Sequence, residues 1–161
     1  SCGAATLATI LKYQYGKPVT ERQVAIGLMK RARYVKHPKL VQLRQGFSLL
    51  DLKRYADSKG YKGIGLGKLT LGGLVKRVPV IVPVRLHGYN HFVVFRGISG
   101  DRVLLADPAW GNRTMLVDRF KDAWIDYPKF GHVGFVVAKA SGKLAPPNGL
   151  APRPREFRFR R

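Results

Sequence analysis

The spacing of apolar residues changes once along this chain, at Pro79. Before it, apolar positions recur at helical intervals; after it, short runs rich in β-branched residues predict strands. Ala4 to Tyr15 reads as a helix with Leu7, Ile10, Leu11, Tyr13 and Tyr15 apolar, stopped by Gly16-Lys17-Pro18. Thr20-Glu21-Arg22-Gln23 is a capping box that opens a second helix to about Lys30. Residues 31–46 read as a basic loop without clear periodicity. Ser48 and Asp51 cap a third helix with Leu49, Leu52, Tyr55 and Ala56 on one face and Gly60 as the stop. Tyr61 to Leu66 reads as a short extended segment, and Leu69 to Arg77 as a short helix weakened by Gly72-Gly73. Strands are predicted over 80–84, 91–97, 103–106, 114–117 and 133–138. Turns are expected at Gly88-Tyr89-Asn90 and Ser99-Gly100-Asp101, and Asp118 is expected to cap a short helix to Trp124. Helices first and an antiparallel sheet second make an α+β domain.

At 161 residues the chain is sized for one domain with a real core. Its expected bounds are 1–140, followed by a flexible, basic C-terminal tail over 141–161 rich in Pro and Arg. Thirty basic against nine acidic residues give a net charge of +21. Residues 139–161 carry seven bases and one acid, so +15 belongs to the globular part. Such a field attracts polyanions nonspecifically without naming one. One cysteine excludes an intramolecular disulfide and any zinc site built on paired cysteines. No apolar stretch reaches transmembrane length, no export signal precedes Ser1, and an opening without methionine predicts a missing N-terminal piece. The oligomeric state is not fixed by the sequence.

That cysteine, Cys2, stands where the first helix begins. Unpaired backbone N–H groups and the positive end of the dipole there favour the thiolate, the nucleophilic form. Far downstream lie His91, at the head of a strand, and Asp107, before Pro108. Taken singly, each has an ordinary reading: a buried inert thiol, a strand histidine, an Asp-Pro turn. Together they supply nucleophile, base and orienting acid, in the order of papain-like thiol proteases. Sixteen residues separate His91 from Asp107, and a hairpin at Ser99-Gly100-Asp101 would bring both to one sheet edge. His37, His87 and His132 fit no metal-ligand spacing, and neither a metal nor a cofactor is expected. Trp110 either walls the cleft or joins the core. Asn90 reads as a turn residue. Gly63-x-Gly65-x-Gly67 lacks the full phosphate-binding fingerprint. The alternating Arg-Phe end reads as a solvated tail, with single-strand nucleic-acid binding as the rival.

Ser1-Cys2-Gly3-Ala4-Ala5-x-Leu7-Ala8, His91-Phe92-Val93-Val94 and Val103-x-x-x-Asp107-Pro108-x-x-Gly111 resemble the C39 family of bacterial cysteine peptidases over roughly residues 1–138. The resemblance implies a papain-like fold with N-terminal helices on a C-terminal antiparallel sheet. It implies Cys2 as nucleophile, His91 as base and then acid, and Asp107 as the orienting carboxylate. It also implies cleavage of a peptide bond in an exported protein or leader peptide, after small residues such as Gly-Gly. Phe47-Ser48-Leu49-Leu50-Asp51-Leu52-Lys53 and Gly111-Asn112-Arg113 resemble standalone family members, including those of functional-amyloid secretion operons, so a secreted or amyloid-forming substrate and a periplasmic or cell-envelope location are expected. The family places an oxyanion-hole glutamine about six residues before the nucleophile, and Cys2 has one residue before it; Gln14, Gln23, Gln42 and Gln45 do not occupy that place. The alternative implied is a weakly catalytic domain that holds a peptide segment to assist secretion or assembly.

Overall fold

A computed structural model describes residues 2–30 and 48–158; the predicted basic loop lies outside them, as do Gln42 and Gln45. Helices α1 (Cys2–Tyr13), α2 (Glu21–Met29) and α3 (Leu49–Ser58) come first. Strand β1 (Tyr61–Leu66) and helix α4 (Leu71–Val75) follow. Strands β2 (Val80–Leu86), β3 (Tyr89–Ser99), β4 (Arg102–Asp107) and β5 (Gly111–Leu116) then run as a meander. Helix α5 (Val117–Ala123), a two-residue pair β6 (Asp126–Tyr127) and β7 (Gly131–His132), and strand β8 (Gly134–Lys139) complete the body. Six strands form one antiparallel sheet in the order β1-β8-β2-β3-β4-β5. The expected α+β class is the observed one.

The helix starts follow the polar residues that open them. Thr20 and Ser48 each accept from the backbone of the third helical residue, while Gln23 and Asp51 reach back to the cap N–H, closing both capping boxes. The sheet is covered on both faces. On one, α1, α2 and α3 bury Leu7, Ile10, Leu11, Val24, Leu28 and Leu52 against Ile81, Val94, Phe135 and Val137. On the other, α4 and α5 bury Leu74 and Phe120 against Val80, Val82, Val93, Phe95, Val103 and Leu105. Alternate residues of β2 therefore enter different cores, which explains its apolar run from Val80 to Val84. Gly63 fits the same layering: a Cβ there would stand 2.8 Å from the Cα of Lys53 and from the ring of Phe135. The glycine lets α3 approach β1, so Gly63 serves packing, while a Cβ on Gly65 would meet open space.

Three expectations need correction. The β2–β3 turn is His87-Gly88, both at positive φ (52° and 79°), and Tyr89-Asn90 already belong to β3. A two-residue turn with this handedness matches strand twist, and Gly88 supplies the required conformation. Asp118 does not cap α5; Leu116 holds that position without a side-chain bond, and Asp118 sits in the first turn, where its charge still suits the dipole. Nor are residues 141–158 a free tail. They cross the sheet as a strap with two 3₁₀ turns, Asn148–Leu150 and Pro154–Phe157, and Leu150 is 4% exposed within the first core. Pro- and Arg-rich composition suggested disorder, but this segment satisfies a buried arginine, and that decides its place.

Candidate active site

Cys2 is the first residue of α1, and its Sγ accepts a hydrogen bond from the Phe92 N–H at 3.4 Å. Helix α1 rests across β3, so the sulfur reaches the residue after His91, ninety positions along the chain. His91 lies near the start of β3, opposite Val84 of β2, with its side chain 19% exposed. Asp107 ends β4, and its side chain is fully buried.

The acid is locked by its own turn. Asp107 Oδ1 accepts from the Ala109 N–H at 2.8 Å, and its carbonyl accepts from the Trp110 N–H at 3.2 Å. This is the local bonding an Asp-Pro turn makes. The strands resume at the Asp107–Gly111 pair, with Gly111 at φ 75°. The other oxygen, Oδ2, faces His91 Nε2 at 3.6 Å, and Arg113 Nη1 stands 3.9 Å from it. Both Oδ2 and Nε2 are buried and make no hydrogen bond. They lie slightly too far apart for a bond, the looseness that free enzymes show before substrate closes the site. With Nε2 turned to the carboxylate, Nδ1 is the ring nitrogen left for the opposite side.

Cys2 and His91 line a common cleft of about 560 Å³. Its walls include Leu86, His87 and Tyr89 from the β2–β3 hairpin and Pro108, Ala109 and Trp110 from the Asp107 turn. Tyr89 and Trp110 are 74% and 69% exposed. Two large aromatic surfaces thus flank the thiol in open solvent, a placement suited to gripping a chain rather than filling a core. Trp110 is a cleft residue and not a core one. Glu21, from the start of α2, puts a carboxylate on the same rim.

Other candidates fall elsewhere. His132 stacks on Trp124 at 4.5 Å between ring centres. Gln14 bonds the Ala145 carbonyl at the far end of α1, and Gln23 is spent in its capping box. His37 lies outside the described residues. Among the described residues no group of three histidine, cysteine, aspartate or glutamate side chains is arranged to hold a metal ion. Tyr89 was missed from the sequence as a cleft residue, and His87 and Arg113 were given no place at the site. An exposed aromatic beside a hairpin turn was the available signal for Tyr89; nothing local tied Arg113 to Asp107.

A helix bearing the thiol, laid across a sheet bearing histidine and acid, is the papain-like arrangement. The profile of the peptidase C39 family matches residues 1–128. The chain is 37% identical over 161 residues to the "Probable functional amyloid protease FapD" of Pseudomonas aeruginosa, covering 99% of this chain and 68% of that protein. The Pseudomonas fluorescens protein of the same name is 39% identical over 162 residues, with the same coverages. Among solved structures, the double glycine motif protease from an AMS/PCAT transporter, in complex with the leader peptide, superposes with TM-score 0.66 and 25% identity over 86% of this chain and 84% of that one. The peptidase domain of Streptococcus ComA, at 19% identity and TM-score 0.61 over 86% and 90%, shares the fold. This chain belongs to the peptidase C39 family and is a papain-like peptidase domain. Among the described residues no helix is long and apolar enough to cross a membrane.

Proposed function

We propose that this peptidase is a cysteine peptidase in which Cys2, His91 and Asp107 act as nucleophile, base and orienting acid. The observation that carries the reading is the pairing of His91 Nε2 with a buried, otherwise unbonded Asp107 oxygen at 3.6 Å, beside a cleft that Cys2 also lines. The carboxylate holds the proton on Nε2, so Nδ1 can take the proton of the Cys2 thiol. The sulfur attacks the peptide carbonyl carbon; the C–N bond breaks, and the leaving amine receives that proton from the imidazolium. Water, deprotonated by His91, then hydrolyses the thioester and restores the thiol. The Cys2 backbone N–H, at the head of α1, is a donor for the oxyanion.

The substrate would be an exported protein or leader peptide, cut after small residues such as Gly-Gly. Support comes from the double glycine motif of the structural neighbour and the functional amyloid named in the relatives. A periplasmic or cell-envelope location follows from that context. Exposed Tyr89 and Trp110 also favour a second reading, a domain that holds a peptide without cutting it. Incubation with a peptide carrying an internal Gly-Gly, followed by mass spectrometry, separates the two. Cleavage after the glycines, lost in Cys2→Ala, is the expected result. Binding without cleavage in the wild type would leave only the second reading.

A basic groove of about 500 Å³ along β5 and the strap, lined by Arg102, Arg113, Arg155 and Arg158, suits nonspecific polyanion binding. Such binding would weaken steeply with salt.

A further inference from the structure

Five residues beyond His91, strand β3 carries a second buried basic side chain. Arg96 is 3% exposed and sits where the β3–β4 register slips, between the pairs Phe95–Leu105 and Gly97–Leu104. The bulge turns two neighbouring residues toward the C-terminal strap. A Cβ on Gly97 would stand 2.8 Å from Pro152, and Arg96 spends most of its guanidinium there. Nε donates to the Leu150 carbonyl at 3.0 Å and Nη2 to the Ala151 carbonyl at 3.1 Å. Nη1 and Nη2 grip Glu156 at 2.7 and 3.0 Å. Burial works to raise the Glu156 carboxyl; the bonds from Arg96 and from the Arg153 N–H outweigh it and hold the group below its ordinary value. The strap also ties down α1, since Gln14 donates to the Ala145 carbonyl and Asn148 to the Gln14 carbonyl.

One bond leaves the strap for the active-site turn. Arg96 Nη1 donates to Asn112 Oδ1 at 3.0 Å. Asn112 pairs with Ala106, and the next pair in the ladder is Asp107–Gly111, where the strands meet the turn. Behind that turn lies a cavity of about 330 Å³, bordered by Thr6 and Thr9 of α1 and by Arg96, Asp107, Asn112 and Glu156. Packing does not fill the space behind the acid, so the polar link through Arg96 adds to the β4–β5 ladder in holding the β5 side of its turn.

We propose that the Arg96–Glu156 clamp, acting through Asn112, positions the Asp107 turn against His91, making the strap beyond the family match part of the catalytic apparatus. This rests on the Cys2–His91–Asp107 reading above. Arg96, Glu156 and Asn112 are positioning residues, since none lines the cleft with the thiol. The competing account is a strap that only adds stability.

A chain with one cysteine makes iodoacetamide a probe of Cys2 alone. The full chain, His91→Ala, Glu156→Gln, Asn112→Ala and Glu156→Asp are alkylated at pH 7 and pH 9, with circular dichroism and Tm measured in parallel. The wild type should react at pH 7 about tenfold or more faster than His91→Ala, since misplaced groups cost up to about 10² in rate. Glu156→Gln and Asn112→Ala should fall toward the His91→Ala rate with dichroism unchanged, and Glu156→Asp should recover part of the loss. A lower Tm with wild-type alkylation rates per folded molecule in both variants would overturn the clamp and leave a stabilising strap. Equal rates for wild type and His91→Ala would instead sink the Cys–His–Asp reading itself. If Glu156→Gln fails to fold, Asn112→Ala decides, because it leaves the Arg96–Glu156 pair intact.

Discussion

Strand β3 sets two basic side chains against two carboxylates, and the pairs are built oppositely. Arg96 and Glu156 meet in a bidentate grip at 2.7 and 3.0 Å, with two strap carbonyls and Asn112 taking the remaining donors. His91 and Asp107 face each other at 3.6 Å with both facing atoms unbonded. A saturated guanidinium cannot give up a proton and fixes geometry. An imidazole left short of a hydrogen bond keeps a proton that can move, at some cost in stability. On the proposed reading, one strand thus separates holding from reacting by five residues.

The sharpest way to break this contrast is Asp107→Asn, which keeps shape but removes the charge. Peptide cleavage should fall by up to about 10²-fold, the cost of a misplaced catalytic group and less than in a serine protease triad because papain-like proteases work with asparagine at that place, with Tm moved by only a few degrees. A large fall in Tm with activity retained would mean that the His91 end is the structural pair. Arg96→Met should do the reverse. It leaves the Glu156 carboxylate and two strap carbonyls without their partner, so urea unfolding should show a loss of about 3 kcal/mol, the lower end for a broken buried pair because the glutamate keeps some contact with water. An unchanged midpoint would show the grip to be worth no more than a surface pair.

The smallest effect is a pH dependence. The folded Glu156 pKa lies below its ordinary 4.5, so the stability it contributes is complete above about pH 5 and fades as pH falls through the lower folded value. The Tm difference between wild type and Glu156→Gln should therefore be largest near neutrality and shrink below pH 4. A difference that stays constant to pH 3 would remove the carboxylate charge from the account.

Much of the body was legible because its signals are local. Capping boxes at Thr20 and Ser48, the stop at Gly60 and the β-branched runs after Pro79 each act within a few residues, and the structure keeps all of them. The site was legible through residue types and order, with the hairpin at Gly100 explaining how sixteen residues of separation close to 3.6 Å. The turn at His87-Gly88 was read one residue late because histidine at positive φ gives no composition signal. The strap was unreadable for a different reason: its partners, Arg96 foremost, lie more than fifty positions away, and nothing in Pro-Arg-Pro-Arg marks a segment that a buried charge will recruit.

The chain alone determined where helices and strands begin, which residue types can perform thiol chemistry, and which family they belong to, because these follow from short-range periodicity and motif order. Only the tertiary structure decided that the sulfur sits on the Phe92 N–H, that aromatic faces flank it, and that the C-terminal segment closes over Arg96. Those outcomes depend on contacts between residues 50 to 130 positions apart. Such contacts are set by how two cores share one sheet, and no local pattern encodes them.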